Sequence, residues 1–113
     1  MQHQSLADGR WAELSLSQQM ANIGSETSRT YCALEAGKES RAESAFARAQ
    51  ELIDLTIKFG RLGNPEGRSA MLKELCRFRE LFCGAYLSRD LGELAALNKY
   101  LDKFAYLARP KPQ

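Results

Sequence analysis

Apolar side chains recur every three or four positions along four separate stretches of the chain. This spacing gathers them on one side of an α-helix, whereas a half-buried strand would alternate apolar and polar residues. The first stretch, for example, places Met20, Ile23 and Thr27 on one stripe. The pattern therefore predicts four amphipathic helices and no sheet.

Each stretch is bounded by residues that start or stop helices. A polar side chain at the start can accept from the free amides of the first turn, and Gly or Pro at the end prevents continuation. The predicted starts are Ser15, Ser40, Asn64 with Pro65, and Asp90, and the predicted stops are Gly37, Gly60, the turn Ser88 to Asp90, and Pro110. Short connections between long helices favour antiparallel neighbours. The sequence thus predicts an all-α fold, a four-helix bundle in up-down-up-down order.

Residues 15–109 form the predicted bundle domain, preceded by a loose N-terminal arm, 1–14, and followed by a short tail, 110–113. Trp11 is expected to dock from the arm onto the end of the bundle, because a large aromatic side chain gains most by burial. Gly24 lies at the edge of the first stripe, where the missing side chain lets a neighbouring helix approach closely.

The third predicted helix carries a second apolar line, about 120° around the helix from its main stripe. One interpretation is that this helix is buried against both of its neighbours. The other is self-association through the second line, because exposed apolar stripes mark interfaces and assemblies are commonly two-fold dimers. The residues of this predicted interface, including two from the fourth helix, are Leu72, Cys76, Cys83, Leu87, Tyr100 and Leu107.

Composition excludes several classes of protein. A chain of 113 residues, of which 44% are hydrophobic, is long enough for one globular domain. Its apolar runs are too short to span a bilayer, and three cysteines within helical patterns favour reduced thiols in a cytoplasm over a disulfide framework. His3 is the only histidine, so the sequence indicates no catalytic site, no metal site and no cofactor.

Charge is divided unevenly along the chain. Up to Ile57 there are five basic and eight acidic residues, a net charge of −3, and from Lys58 onward there are eleven basic and six acidic residues, a net charge of +5. Such asymmetry favours a polyanionic partner such as a nucleic acid, although acidic residues are interleaved. The candidate contacts are Arg61, Arg68, Lys73, Arg77, Arg79 and Arg89.

Several motifs resemble those of small prokaryotic helical-bundle proteins of unknown function. The matching positions are Trp11, Leu14 to Leu16, Gln18 or Gln19, Ala21 to Glu26, Phe46 to Ile57, and Lys73 to Glu80. The resemblance covers most of the chain. It implies a prokaryotic, intracellular helical bundle and carries no established activity with it.

The sequence as a whole is typical of a small intracellular interaction or accessory protein without enzymatic activity. A homodimer through the third helix stays open beside the interpretation that this helix is buried against both of its neighbours. The alternative is a nucleic-acid-associated bundle that binds through the basic second half. A third hypothesis, a degenerate relative of small helical ribonucleases, is disfavoured because the body of the chain lacks a histidine.

Overall fold

Four helices make up the molecule in the computed structural model, which describes residues 10–59 and 65–108. Within these ranges the structure does not describe the side chains of Ala12, Pro65, Glu66 and residues 105–108. A short 3-10 turn, Trp11–Glu13, precedes the four helices, which are α1 (Leu16–Glu35), α2 (Glu39–Phe59), α3 (Pro65–Leu87) and α4 (Leu91–Ala108). Residues 10–59 and 65–108 contain no strand. The predicted all-α class and the four helices are confirmed.

Helix starts agree with the predicted caps at two positions and differ at a third. Ser15 and Gln18 form the full capping box, each side chain bonding to the other's backbone amide, and Asp90 Oδ1 accepts from the Glu93 amide at 3.0 Å. The predicted cap at Ser40 is wrong. Because the Lys38 carbonyl already accepts from the Ala42 amide, α2 begins at Glu39 and Ser40 lies within its first turn.

Two tight turns end their helices with one residue in the left-handed region. Gly37 has a φ of 73°, and the Lys38 amide returns to the Ala33 carbonyl. Arg89 ends α3 in the same way, with a φ of 56°. A residue other than glycine is strained in this left-handed region. The Arg89 side chain compensates, because Nη1 donates to the Tyr86 carbonyl and Nη2 reaches Glu39.

α1 packs closely against both α2 and α4, because small side chains line these contacts. Ala42, Ala45 and Ala49 are fully buried along one side of α2. On α1, a Cβ added to Gly24 would lie 3.3 Å from the Leu101 Cβ, so the predicted close approach at Gly24 is confirmed and α4 is the neighbour. α1 also buries polar residues that lie off the predicted stripe, Gln19, Glu26 and Thr30.

α3 packs against α2 and α4 through larger side chains. Phe46 of α2 stacks on Tyr86 with 4.0 Å between ring centroids, and Phe78 and Phe82 stack along α3. Further along the same pair of helices, Gln50 contacts Cys83 and Asp54 contacts Arg79, so residue numbers rise on α2 as they fall on α3. α2 and α3 are therefore antiparallel, which is consistent with the predicted up-down-up-down order.

Trp11 is buried against the end of α2, as predicted from its size. Its indole Nε1 donates to Thr56 Oγ1 at 2.9 Å, and its carbonyl accepts from the Gln19 side-chain amide at 2.9 Å. The rest of the predicted arm, residues 1–9, and the predicted tail, residues 110–113, lie outside the described residues.

Candidate interaction surfaces

A groove of about 480 Å³ runs between α3 and α4 and exposes apolar surface. Phe78, Leu97 and Tyr100 line it, and Leu81 stands at its edge with 42% of its surface exposed. The other lining residues, Lys73, Glu74 and Arg77, are charged. The groove thus combines an aromatic and aliphatic floor with a rim of both charges, which is the composition of many protein interfaces.

Tyr100 is the most constrained residue of this groove. Its ring stacks on Phe78 with 6.0 Å between centroids, and the Lys103 ammonium lies 4.4 Å from the ring centroid. Its hydroxyl donates to the Glu74 carboxylate. Partial burial, and then this hydrogen bond, raise the pKa of Tyr100 well above its ordinary value.

The predicted second apolar line of α3 lies partly on the flank that faces α2. Leu72 packs against the core, Cys76 is half-buried, and Cys83 Sγ accepts from the Gln50 side-chain amide. Leu87, at the end of α3, is 75% exposed. Tyr100 lines the groove on the opposite flank of α3, and the Leu107 side chain lies outside the description. The structure therefore does not bring the five described residues of this predicted interface together.

Leu81, the most exposed apolar residue of the groove, is not indicated by the sequence pattern. Leu81 follows Lys73 and Arg77 at four-residue intervals, on a face of α3 that the sequence marks as charged. Its neighbours in space, Leu97 and Tyr100, belong to α4. Only the register between α3 and α4 brings these residues into one surface.

The predicted polyanion contacts fall into two groups. Arg79 is paired with Asp54 at 2.7 Å and Arg89 with Glu39 at 2.9 Å, so both act within the fold. Exposed positions without an ion pair in the described part of the chain are Arg68, Lys73 and Arg77, while Arg61 lies outside that part. Three of the six predicted cations are thus available on the surface of α3.

A second concavity, a cleft of about 500 Å³, lies between α1 and the first half of α2. Four basic residues line it, although the sequence analysis assigned this half of the chain a net negative charge. They are Arg29, Lys38, Arg41 and Arg48. The spacing of seven residues between Arg41 and Arg48 places both on one side of α2 and could have indicated the cleft. The position of Arg29 opposite them depends on how α1 packs against α2.

Residues 10–59 and 65–108 contain neither a metal-binding cluster nor a helix that could span a membrane. No three His, Cys, Asp or Glu side chains in these ranges are grouped so that they could hold a metal ion. None of the described helices has the length and apolar character that crossing a membrane requires.

Compared with protein-family profiles, curated proteins and solved structures, the chain matches none of them. The resemblance to small prokaryotic helical-bundle proteins therefore stays a prediction.

Proposed function

We propose that this chain is a small interaction protein that binds a second copy of itself through the groove between α3 and α4. The exposed apolar edge at Leu81, continuous with the half-buried ring of Tyr100 and the floor at Phe78, carries the proposal. Water contacts this apolar surface in the monomer. Covering it with the same surface of another molecule is favourable in proportion to the apolar area removed from water.

The charges of α3 favour a second copy over an unrelated partner. Lys73 and Glu80 lie seven residues apart on the exposed face of the helix, and neither has an ion pair in the described part of the chain. When the grooves of two copies face each other and their α3 helices cross antiparallel, with the two-fold axis level with the midpoint between Lys73 and Glu80, each lysine lies opposite the glutamate of the other copy. A two-fold interface of this kind is self-complementary.

A charge exchange between these two positions tests the proposal. Lys73→Glu alone and Glu80→Lys alone each place like charges opposite one another, so each single variant should form less dimer than the wild type. The double variant, Lys73→Glu with Glu80→Lys, restores opposite charges and should recover dimerisation. Light scattering after gel filtration measures the mass of each variant. Three variants that dimerise equally well would contradict the antiparallel arrangement.

A matched pair of leucine variants tests the groove itself. Leu81→Glu places a charge at the apolar edge and should leave the protein monomeric, whereas Leu87→Glu changes a more exposed leucine about 120° around the same helix and should not. Both side chains are exposed enough for the fold to persist, which circular dichroism checks. Equal loss of dimer in both variants would place the contact outside the groove.

Polyanion binding through the basic second half is a second proposal, supported by the exposed Arg68, Lys73 and Arg77 on α3. Retention on a heparin column that falls steeply with salt would support it, because phosphate or sulfate contacts release counterions. The triple replacement of these residues by Gln should lower the salt concentration at which the protein elutes. Elution of the wild type in the flow-through at low salt would remove this proposal.

We also place the protein in the cytoplasm of a prokaryotic cell. The three cysteines are free thiols, of which Cys32 is exposed, and exposed thiols persist best in a reducing compartment. Fractionation of the source cells tests this placement, and recovery from an oxidising extracellular or periplasmic fraction would contradict it.

A further inference from the structure

We infer that the cleft between α1 and α2 is a binding site for a small molecule that carries a phosphate monoester. Of the five basic residues between Met1 and Ile57, four line this one cleft, and no carboxylate lines it. The same part of the chain has eight acidic residues, so the clustering runs against the local composition. A concave surface with four converging cations concentrates positive potential where an anion can enter.

A buried carboxylate orients two of the four cations. Glu26 is 6% exposed and does not line the cleft, and its two oxygens accept from Arg29 Nη1 at 2.5 Å and from Arg48 Nε at 2.9 Å. Each guanidinium keeps nitrogens that make no hydrogen bond to the described residues. Glu26 thereby fixes both arginines in place while leaving donors on each for a ligand.

The other two cations are unpaired among the described residues. Lys38 and Arg41 are exposed and form no ion pair within residues 10–59 and 65–108. Ser40 and Ser44 add hydroxyl groups to the same wall of the cleft. An anion in the cleft would therefore meet unpaired charge and neutral donors together.

The floor of the cleft suits an organic group beside the anion. It is made of the small side chains Cys32, Ala33, Ala36 and Ala45, which leave the space that the long basic residues surround. The volume of about 500 Å³ lies within the range of small-molecule sites. A phosphate monoester matches this arrangement because its dianion accepts forked hydrogen bonds from several arginines, and its organic part can lie on the alanines.

The cleft and the α3–α4 groove share no residue, so this inference is independent of the proposed dimer. The test is an NMR titration of the full chain with inorganic phosphate and with phenyl phosphate, at constant ionic strength. We expect saturable shifts of backbone amides and arginine Nε–H signals around the cleft. Phenyl phosphate should bind more tightly than inorganic phosphate, because its ring covers the alanine floor.

Two charge-matched double variants make the test specific. Lys38→Gln with Arg41→Gln should weaken phenyl phosphate binding by about tenfold or more, the loss expected for one charge-assisted hydrogen bond. Arg10→Gln with Lys99→Gln removes the same charge from exposed sites outside the cleft and should leave binding unchanged. Equal weakening in both variants, or shifts that never saturate, would overturn the inference.

Cys32 supplies a second readout within the cleft. Its thiol is exposed and lines the floor, so bound phenyl phosphate should slow its alkylation by iodoacetamide, a neutral reagent. Cys76, which is half-buried on α3, is the internal control and should react at the same rate with and without ligand. An unchanged rate at Cys32 under saturating ligand would place the ligand elsewhere and overturn the inference.

Discussion

The indole of Trp11 and the hydroxyl of Thr56 form a buried polar contact at the scale of single residues. Thr56 Oγ1 accepts from the indole and donates to the Leu52 carbonyl, so both hydrogen-bonding functions of the hydroxyl are used. Thr27 is buried to the same degree, but its hydroxyl donates only to the Gly24 carbonyl of its own helix. The buried indole of Trp11 therefore depends on Thr56 for its hydrogen bond, whereas no second side chain depends on Thr27.

Thr56→Val should lower the free energy of unfolding by about 1–3 kcal/mol, because it leaves the indole N–H buried without an acceptor. Thr27→Val should cost less, because no other side chain loses a partner. Urea unfolding followed by the fluorescence of the single tryptophan measures both. Equal losses would show that the indole hydrogen bond contributes nothing specific.

Tyr100 makes stability depend on pH in the alkaline range. The neutral hydroxyl donates to Glu74, and the folded chain holds this proton above the ordinary tyrosine pKa of about 10. The unfolded chain releases it near that pH. Since the folded state then binds more protons, the free energy of unfolding falls as the pH rises above about 10, toward the raised pKa.

The Tyr100→Phe variant should lose less stability than the wild type between about pH 9 and pH 11, because it lacks this titration. Urea midpoints at the two pH values measure the difference. Groups other than Tyr100 are the same in both proteins and provide the common background. If the free energy of unfolding fell by the same amount in both proteins, Tyr100 would not be the cause of the alkaline loss of stability.

At the scale of helices, two glycines within helices have opposite surroundings. Gly24 of α1 approaches the Leu101 Cβ of α4, whereas a Cβ added to Gly84 of α3 would meet no atom within 4 Å. Leu101 Cβ is attached directly to the α4 backbone, so a clash there would have to move the helix. Replacement by alanine therefore acts through packing at Gly24 of α1 and through helix propensity at Gly84 of α3.

Gly84→Ala should raise the free energy of unfolding by about 0.5–1 kcal/mol, the gain in helix propensity. Gly24→Ala should lower it by about 1 kcal/mol despite the same gain, because the added methyl overpacks the contact with α4. Thermal unfolding of both variants at low protein concentration measures the two effects. A stabilising effect of Gly24→Ala would contradict the close contact between α1 and α4 at Leu101.

Elements that depend on local spacing could be predicted from the sequence, whereas most contacts between elements could not. The capping residues Ser15 and Asp90 act within one helical turn, so their residue types indicated the helix starts. Ser40 has the same residue type, but the backbone of Lys38 starts α2 before it. Leu81 joins the groove, and Arg29 the cleft, only through the register of two packed helices.

At the scale of the whole molecule, charge along the chain and charge on the surface differ. The sequence places its net positive charge after Ile57, yet Arg79 and Arg89 are held by Asp54 and Glu39 of the acidic half. The cleft between α1 and α2 is lined by four cations, whereas the α3–α4 groove is lined by two. A sum of charges over half a chain cannot reveal this, because folding pairs some cations and concentrates others.

The mass of the wild-type protein in solution tests the central proposal most directly. Sedimentation equilibrium at about 100 µM should give a mass close to twice 12.7 kDa, since a dimer with a Kd of about 10 µM is mostly formed at that concentration. Dilution should return the mass to 12.7 kDa. A mass that stays at 12.7 kDa over the whole range would contradict self-association through the α3–α4 groove.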